Sequence, residues 1–593
     1  MLVRFCTSTR RRSELLIAAA VIVIITVMVA GGSFFDRDDL FFAEYFQLNP
    51  PSVDALTRSW FGHLMPGYIA SVIAFLTLFG LSWPVALVLT AAIHTGAFVA
   101  LVRCLDAVLG PVRLNVIAGV AFSLSLGPMM VRLWWAATLN NFLALALGLA
   151  VLGCATRWVV RRRARHLVAA LLLYALALTM SEKNLLFSLH IAAWFVLVVW
   201  RGLSARSRIA EIVRAWPLWI GLVLLSLIDV IAFLRGPYLQ ESGTSPGLGT
   251  SIRFVAHNIL GGLFPSLFGI DMADQPASFT DPRVVVSSAL VAAFVVWTIV
   301  RTRANVGVWV FALVAVSANA AVLSRRADLL GEAGGRQLRY LLESSALLWL
   351  AIGVAAVLAM SVSRATPSDT RRRDRSADRR RRVLRTVGGG LAAGLILFSA
   401  WSWSNGVLRA IGSSGGYAAR EWIETLRTEL PNPLPAALID TPLSSEFAIP
   451  QLHPYDMVAP VLPSLGWTDV RTTNVLEGAW TVGEDGRAGP AVLASPDVQF
   501  SGSRCSDGST LLPVPEAHTR GRTFIVLDFS RSEGASVGLQ FSGGSVSVDL
   551  DASQGRIAVY LPNPVDGDLV VDPHGAPLCV DAITAADVVP ASN

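Results

Sequence analysis

Leu15-Leu16-Ile17-Ala18-Ala19-Ala20-Val21-Ile22-Val23-Ile24-Ile25-Thr26-Val27-Met28-Val29-Ala30 is an uninterrupted apolar run, preceded by Arg4, Arg10, Arg11 and Arg12. At about 1.5 Å of rise per residue it is long enough for a helix that crosses most of a bilayer core, and the flanking arginines favour a cytoplasmic start. It resembles a signal sequence, but runs of similar length recur through the first two thirds of the chain. An uncleaved first helix running outward is therefore expected. The composition agrees. Of 593 residues, 53% are hydrophobic and only 15% charged, and the mean hydropathy is +0.57. That excludes an ordinary soluble globular protein, and the long runs exclude a barrel of short alternating strands.

The positive-inside rule decides which runs span. Counting both Met65–Gly80 and Trp83–Leu105 as spans would put Arg161, Arg162, Arg163, Arg165 and His166 outside. The shorter run, which opens on Met65-Pro66-Gly67, is read as a helix lying in or re-entering the interface. Spans are then expected at 83–105, 114–128, 141–158, 167–180, 185–200, 215–234, 283–300, 306–323, 339–360 and 386–405. With the first helix that makes about 11. The arginine-rich segment 361–385, including Arg371–Arg373 and Arg379–Arg382, reads as a cytoplasmic topology anchor touching anionic lipid, without nucleic-acid binding. The expected organisation is a mainly α-helical polytopic membrane domain, residues 1–406, with a first outer loop at 33–82. A soluble, β-rich, sandwich-like extracytoplasmic domain follows at 407–593. The location is the plasma (inner) membrane, with the N-terminus cytoplasmic.

The tail is rich in Gly, Pro, Ser, Asp and Val. Its strand-like runs Thr523–Phe529, Ser536–Phe541, Ser545–Leu550 and Arg556–Leu561 are spaced as in a sandwich, after a helix at Gly416–Glu429. It holds only two cysteines, Cys505 and Cys579, so an oxidising compartment predicts a disulfide between them. No zinc spacing, phosphate-binding Gly loop or Gly-x-Ser-x-Gly elbow stands out.

With this topology the polar groups gather on the outer side. The first outer loop carries Asp36, Asp38, Asp39, Glu44 and His63; a later turn carries Glu182 and Lys183, the only lysine among 48 basic residues. The late outer loop carries Arg325, Arg326, Arg336 and Arg339 with Tyr340. Arginines are unusual in an outer loop, and a lipid-linked phosphate at headgroup depth supplies a reason for them, since guanidinium groups bind phosphate oxygens by charge-assisted hydrogen bonds. The aspartates suit the other half of a transfer: one takes a proton from an attacking hydroxyl, or a pair holds a divalent cation. Structural alternatives stand beside these roles. Glu182 and Lys183 also fit a simple pair within a turn, His63 an interfacial packing residue, and Arg339 a snorkelling helix end.

Asp36-Arg37-Asp38-Asp39, the His63-Leu64-Met65-Pro66 start of the interfacial helix, Phe79-Gly80, Ser181-Glu182-Lys183 and Arg339-Tyr340 together resemble the GT-C superfamily of membrane glycosyltransferases over roughly residues 1–360. The resemblance implies a polyprenyl-phosphate-sugar donor and an envelope glycan, lipid or protein acceptor outside the cytoplasm. It makes Asp38 and Asp39, with Asp36 in competition, the match to the acidic catalytic or metal-associated position, where magnesium, manganese or calcium would bind. His63, Glu182, Lys183, Arg325, Arg336, Arg339 and Tyr340 would hold substrate and phosphate. A transporter or flippase of lipid-linked saccharides and a non-catalytic scaffold with a glycan-binding tail are the alternative readings. The first of these would place charges at midplane and repeat its halves, and neither is visible in the sequence.

Overall fold

The computed structural model describes residues 2–235, 246–273, 278–365, 399–448, 455–506, 512–519, 524–531, 536–542, 544–550, 554–561, 565–574 and 577–591. The arginine run Arg371–Arg382 and residues 386–398 of the expected last span lie outside them. The chain divides into two compact units. The first contains Met1–Gly32, Pro51–Phe75 and Ser82–Ser414; the second contains Ser33–Pro50, Leu76–Leu81 and Gly415–Asn593. Two pieces of the first outer loop thus belong with the tail.

The first unit is a helical membrane bundle. Among the described residues, eight helices are long and apolar enough to span: Arg10–Ala30, Trp83–Leu109, Trp135–Arg161, Glu182–Val199, Trp216–Arg235, Pro282–Arg301, Asn305–Arg326 and Leu338–Ser361. A ninth arises if Arg113–Leu124 and Gly127–Leu133, bent by 56°, count as one broken span. The expected span at 167–180 forms as Ala164–Met180 and the interfacial helix as Pro66–Phe79, both shorter apolar helices. The first helices of the chain are α1 (Leu2–Ala30), α2 (Asp38–Leu48), which falls in the second unit, α3 (Val53–Thr57), α4 (Pro66–Phe79), α5 (Trp83–Leu109), α6 (Arg113–Leu124) and α7 (Gly127–Leu133). Lateral packing follows small residues. A Cβ on Gly119 would stand 2.7 Å from Val102, and one on Gly67 2.3 Å from Thr179 Oγ1, so these glycines let helices approach at backbone distance.

Exposed apolar side chains such as Leu16, Met28, Val88, Leu172, Val223 and Val300 cover the outside of these helices, as a lipid-facing surface requires. Inside, several polar side chains pair with one another. Trp194 Nε1 donates to Thr156 Oγ1 (3.1 Å) and Tyr174 meets Ser226 Oγ (2.8 Å). Fully buried Arg132 donates from Nε to His94 Nδ1 (2.9 Å), and the His94 ring stacks on Phe142.

The second unit is built on two antiparallel sheets. β1 (Trp480–Val482), β2 (Ala488–Ser506), β4 (Phe524–Arg531), β7 (Gln554–Tyr560) and β9 (Leu578–Pro590) form one sheet in the order β1-β2-β9-β4-β7. β3 (Leu512–His518), β5 (Ser536–Phe541), β6 (Gly544–Asp549) and β8 (Asp566–His574) form the other in the order β3-β8-β5-β6. Ile525, Leu527, Ile557, Val559 and Ile583 from the first meet Val514, Val537, Leu539, Leu569 and Val571 from the second in one core, the alternating inward face of a sandwich. Cys505 and Cys579 lie opposite each other on β2 and β9 and are bridged. The helix Gly415–Glu429 buries Ala419, Trp422, Ile423 and Leu426 on one side.

Candidate functional site

His63 is set by a tight turn. Trp60 and His63 exchange backbone hydrogen bonds of 2.8 Å in both directions, while Phe61 (φ 52°) and Gly62 (φ 76°) occupy left-handed conformations between them. Phe61 carries the cost of a side chain in that region, which a surrounding fold must over-determine. Three residues on, Pro66 opens α4, with proline where a helix start tolerates a missing N–H.

On this turn the imidazole joins two distant groups. His63 Nδ1 is hydrogen-bonded to the Glu182 carboxylate, and Arg326 Nη2 lies 2.5 Å from His63 Nε2. A carboxylate only accepts and a guanidinium only donates, so the chain runs Arg326 to Nε2 and Nδ1–H to Glu182. That fixes a neutral ring with its proton on Nδ1. Glu182 opens one spanning helix and Arg326 closes another, which puts this chain at the ends of two spans.

Lys183 follows immediately. Its Nζ donates to Asn141 Oδ1 (3.2 Å), and it lines a cavity with Ser181, Asn184, His190, Asn319 and Tyr340. Tyr340 stands at the start of the Leu338–Ser361 span. Arg339 beside it lies over the rings of Trp134 (5.4 Å) and Tyr340 (4.8 Å) and donates from Nε to Gln337 Oε1 (3.1 Å). His63, Glu182, Lys183, Arg326 and Tyr340 therefore form one neighbourhood within the first unit.

Two of the expected arginines stand in other surroundings. Arg325 is exposed; its neighbour Arg326 is the one that reaches His63, because a 3₁₀ turn over Ser324–Arg326 rotates successive side chains by a third of a revolution. Arg336 is fully buried, packed on His257 through Nε (3.2 Å) and Nη2 (2.9 Å). Burial lowers its affinity for its proton, and burial with Arg336 lowers that of His257. The His257 ring in turn stacks on Phe279.

The three aspartates belong to the second unit. Asp36 and Asp39 are buried and bonded to each other: Asp36 N–H donates to Asp39 Oδ2 (3.3 Å), and Asp39 N–H to Asp36 O (2.9 Å). A Cβ on Gly415 would come 2.5 Å from Asp36 Oδ2, so Asp36 sits against the first residue of the helix Gly415–Glu429, where the helix dipole favours a carboxylate. Arg37 between them has φ 46° and donates its N–H to Phe447 O (2.6 Å). Asp38, the first residue of α2, is half-buried. Of the three it alone keeps a partly exposed carboxylate. Among the described residues no group of three or more His, Cys, Asp or Glu side chains is arranged to hold a metal ion. Asp38 and Asp39 thus lack a third protein ligand of those types.

No protein-family model and no curated protein matches the chain. Among solved structures it is similar to the single-particle cryo-EM structure of arabinofuranosyltransferase AftD from Mycobacteria, at 13% identity and a TM-score of 0.34, covering 97% of this chain and 60% of that one. Two classes of a mutant of the same protein match at 14% and 13% identity with TM-scores of 0.33 and 0.34, each over 98% of this chain and 62% of that one. The chain spans about three fifths of the length of these structures.

Proposed function

We propose that the chain is a membrane glycosyltransferase of the cell envelope that moves a sugar from a polyprenyl phosphate to an extracytoplasmic acceptor glycan, lipid or protein. The observation that carries this reading is the Arg326–His63–Glu182 chain at the ends of two spans, next to Lys183. A fixed neutral imidazole between a guanidinium and a carboxylate, beside an ammonium, is an arrangement suited to an anionic group at headgroup depth. Lys183 and Arg326 would hold the phosphate, with Tyr340 and Arg339 flanking it.

In the reaction the acceptor hydroxyl oxygen attacks the anomeric carbon, the bond from that carbon to the phosphate oxygen breaks, and polyprenyl phosphate leaves with the bonding electrons. The hydroxyl proton passes to a carboxylate acting as general base. Asp38 is assigned that role because its carboxylate is the partly exposed one, with Asp39 as the competing residue. Among the described residues, no third His, Cys, Asp or Glu joins Asp38 and Asp39 to hold a metal ion.

Transfer of labelled sugar from a synthetic polyprenyl phosphate donor to an envelope acceptor, with the purified full chain in detergent or vesicles, tests the reading. Transfer by the wild type and its loss in Asp38→Asn are expected. Full activity in both Asp38→Asn and Asp39→Asn would remove the assignment of that pair. Movement of lipid-linked saccharide across vesicles without any transfer would replace the enzyme reading with a flippase.

A further inference from the structure

α2 carries a carboxyl group that no positive charge among the described residues balances. Glu44 is fully buried, and neither of its oxygens has a hydrogen bond of ordinary geometry. Asp440 and Asp456 are near enough to repel its charge, and of the four influences on it only the Met457 amide, the weakest, favours the ionised form. Both neighbours are fixed. Asp440 Oδ1 accepts from the Ala459 N–H (2.8 Å), and Asp456, itself buried, accepts through its backbone carbonyl from Leu443 N–H (2.7 Å). Tyr560, on β7, also faces Asp456, and burial together with that charge pushes its hydroxyl up to about 12. The Tyr455 ring closes the other flank against Phe41 (5.2 Å) and Tyr45 (5.3 Å) of α2. All these groups belong to the second unit.

We infer that Glu44 is a proton-operated latch: its neutral carboxyl holds α2, and with it Asp38 and Asp39, on the tail fold, and loss of that proton releases the helix. Ionising a buried carboxyl that faces two carboxylates is costly in place, because its charge would lose water and meet repulsion that the single Met457 amide does not offset. Burial first, then Asp440 and Asp456, raise its proton affinity from the ordinary 4.5 to about 10. The docked state therefore binds one proton more than the released state. Docking is fully favoured below about pH 4.5 and weakens as pH climbs toward 10, by up to about tenfold in the equilibrium per pH unit. Glu44 is a positioning residue in this scheme. The inference stands apart from the transfer reading.

Hydrogen exchange of the intact chain in detergent tests it, following the peptide over residues 38–48 between pH 6 and 9 with the intrinsic exchange rate divided out. Protection in the wild type should fall by up to about tenfold per pH unit. Glu44→Gln, neutral at every pH and of nearly the same shape, should stay flat and be at least as protected as the wild type at pH 8. A variant less protected than the wild type, or a wild type with flat protection, would overturn the latch. So would an identical pH dependence in the β4 peptide, which would mark global opening. Release of α2 by EDTA at constant pH would show that a cation balances the cluster instead.

Discussion

His63 and Glu182, 119 residues apart in the sequence, are joined through His63 Nδ1. That bond ties the turn before α4 to the start of a spanning helix, and it leaves Nε2 to accept from Arg326. The ring is thereby fixed in orientation and tautomer, as side chains that shape a reacting centre must be.

Removing either end of this chain should lower transfer without unfolding the bundle. Glu182→Gln and Arg326→Ala are expected to cost on the order of 10²-fold in kcat/KM, the scale of a misplacement near 1 Å. Arg325→Ala should stay within about twofold, as exposed surface changes usually do. Steady-state transfer assays of the three variants check the ordering; equal losses in Arg325→Ala and Arg326→Ala would contradict it.

The contact between Gly67 and Thr179 gives a packing prediction. With a Cβ placed 2.3 Å from Thr179 Oγ1, Gly67→Ala should destabilise the bundle by about 1–3 kcal/mol through overpacking. Thr179→Ala in the same chain should recover part of that by removing Oγ1, while the Thr179 Cβ (2.9 Å) and carbonyl oxygen (3.1 Å) still crowd the new methyl. Thermal unfolding in detergent of the single and double variants reads both.

The Cys505–Cys579 bridge closes a loop with a sequence separation of 74. Its loss in the paired Cys→Ser variant should lower the stability of the sandwich by about 2–4 kcal/mol, read by urea unfolding. Reductant should shift the wild type by a similar amount and leave the variant unchanged.

Asp281 caps the helix Pro282–Arg301 by accepting from Arg283 N–H (2.8 Å) and pairs with the Arg283 side chain. The Arg283 hydrogen bond holds its carboxyl at about 2, below the ordinary 3.8. A depressed carboxyl stabilises the fold above its unfolded value, and that gain is lost as pH falls from about 4 toward 2. Asp281→Ala should cost about 1 kcal/mol at neutral pH, and Asp281→Asn should keep the cap while removing the acid-side loss. Melting at pH 6 and pH 3 separates the two.

Hydropathy made the spans legible. Residues 83–105, 215–234 and 283–300 appear as helices within a few residues of the expected bounds, because lipid leaves a backbone few other choices. The tail strands at 523–529, 536–541, 545–550 and 556–561 correspond closely to β4, β5, β6 and β7, since their alternation matches a half-buried sheet. Pairings between distant residues leave no such periodicity. Nothing local distinguishes Arg326 from Arg325, and only the turn decides which one faces His63. Nor does any pattern in the loop mark Asp36 for the start of the helix Gly415–Glu429, or Glu44 for Asp440 and Asp456. Those contacts depend on a domain that begins hundreds of residues later.

That delay has a consequence during synthesis. The segment Ser33–Pro50 emerges early, but its partners begin at Gly415, so roughly 365 residues must be made and most spans inserted before it finds them. At 5–20 residues per second this is a wait of roughly 20–70 s. Until then Phe41, Phe42 and the acidic Glu44 have no completed surface to bury them. Docking of this segment is thus a late step of assembly, and a chain truncated before residue 415 would leave its apolar side chains without the surface that buries them.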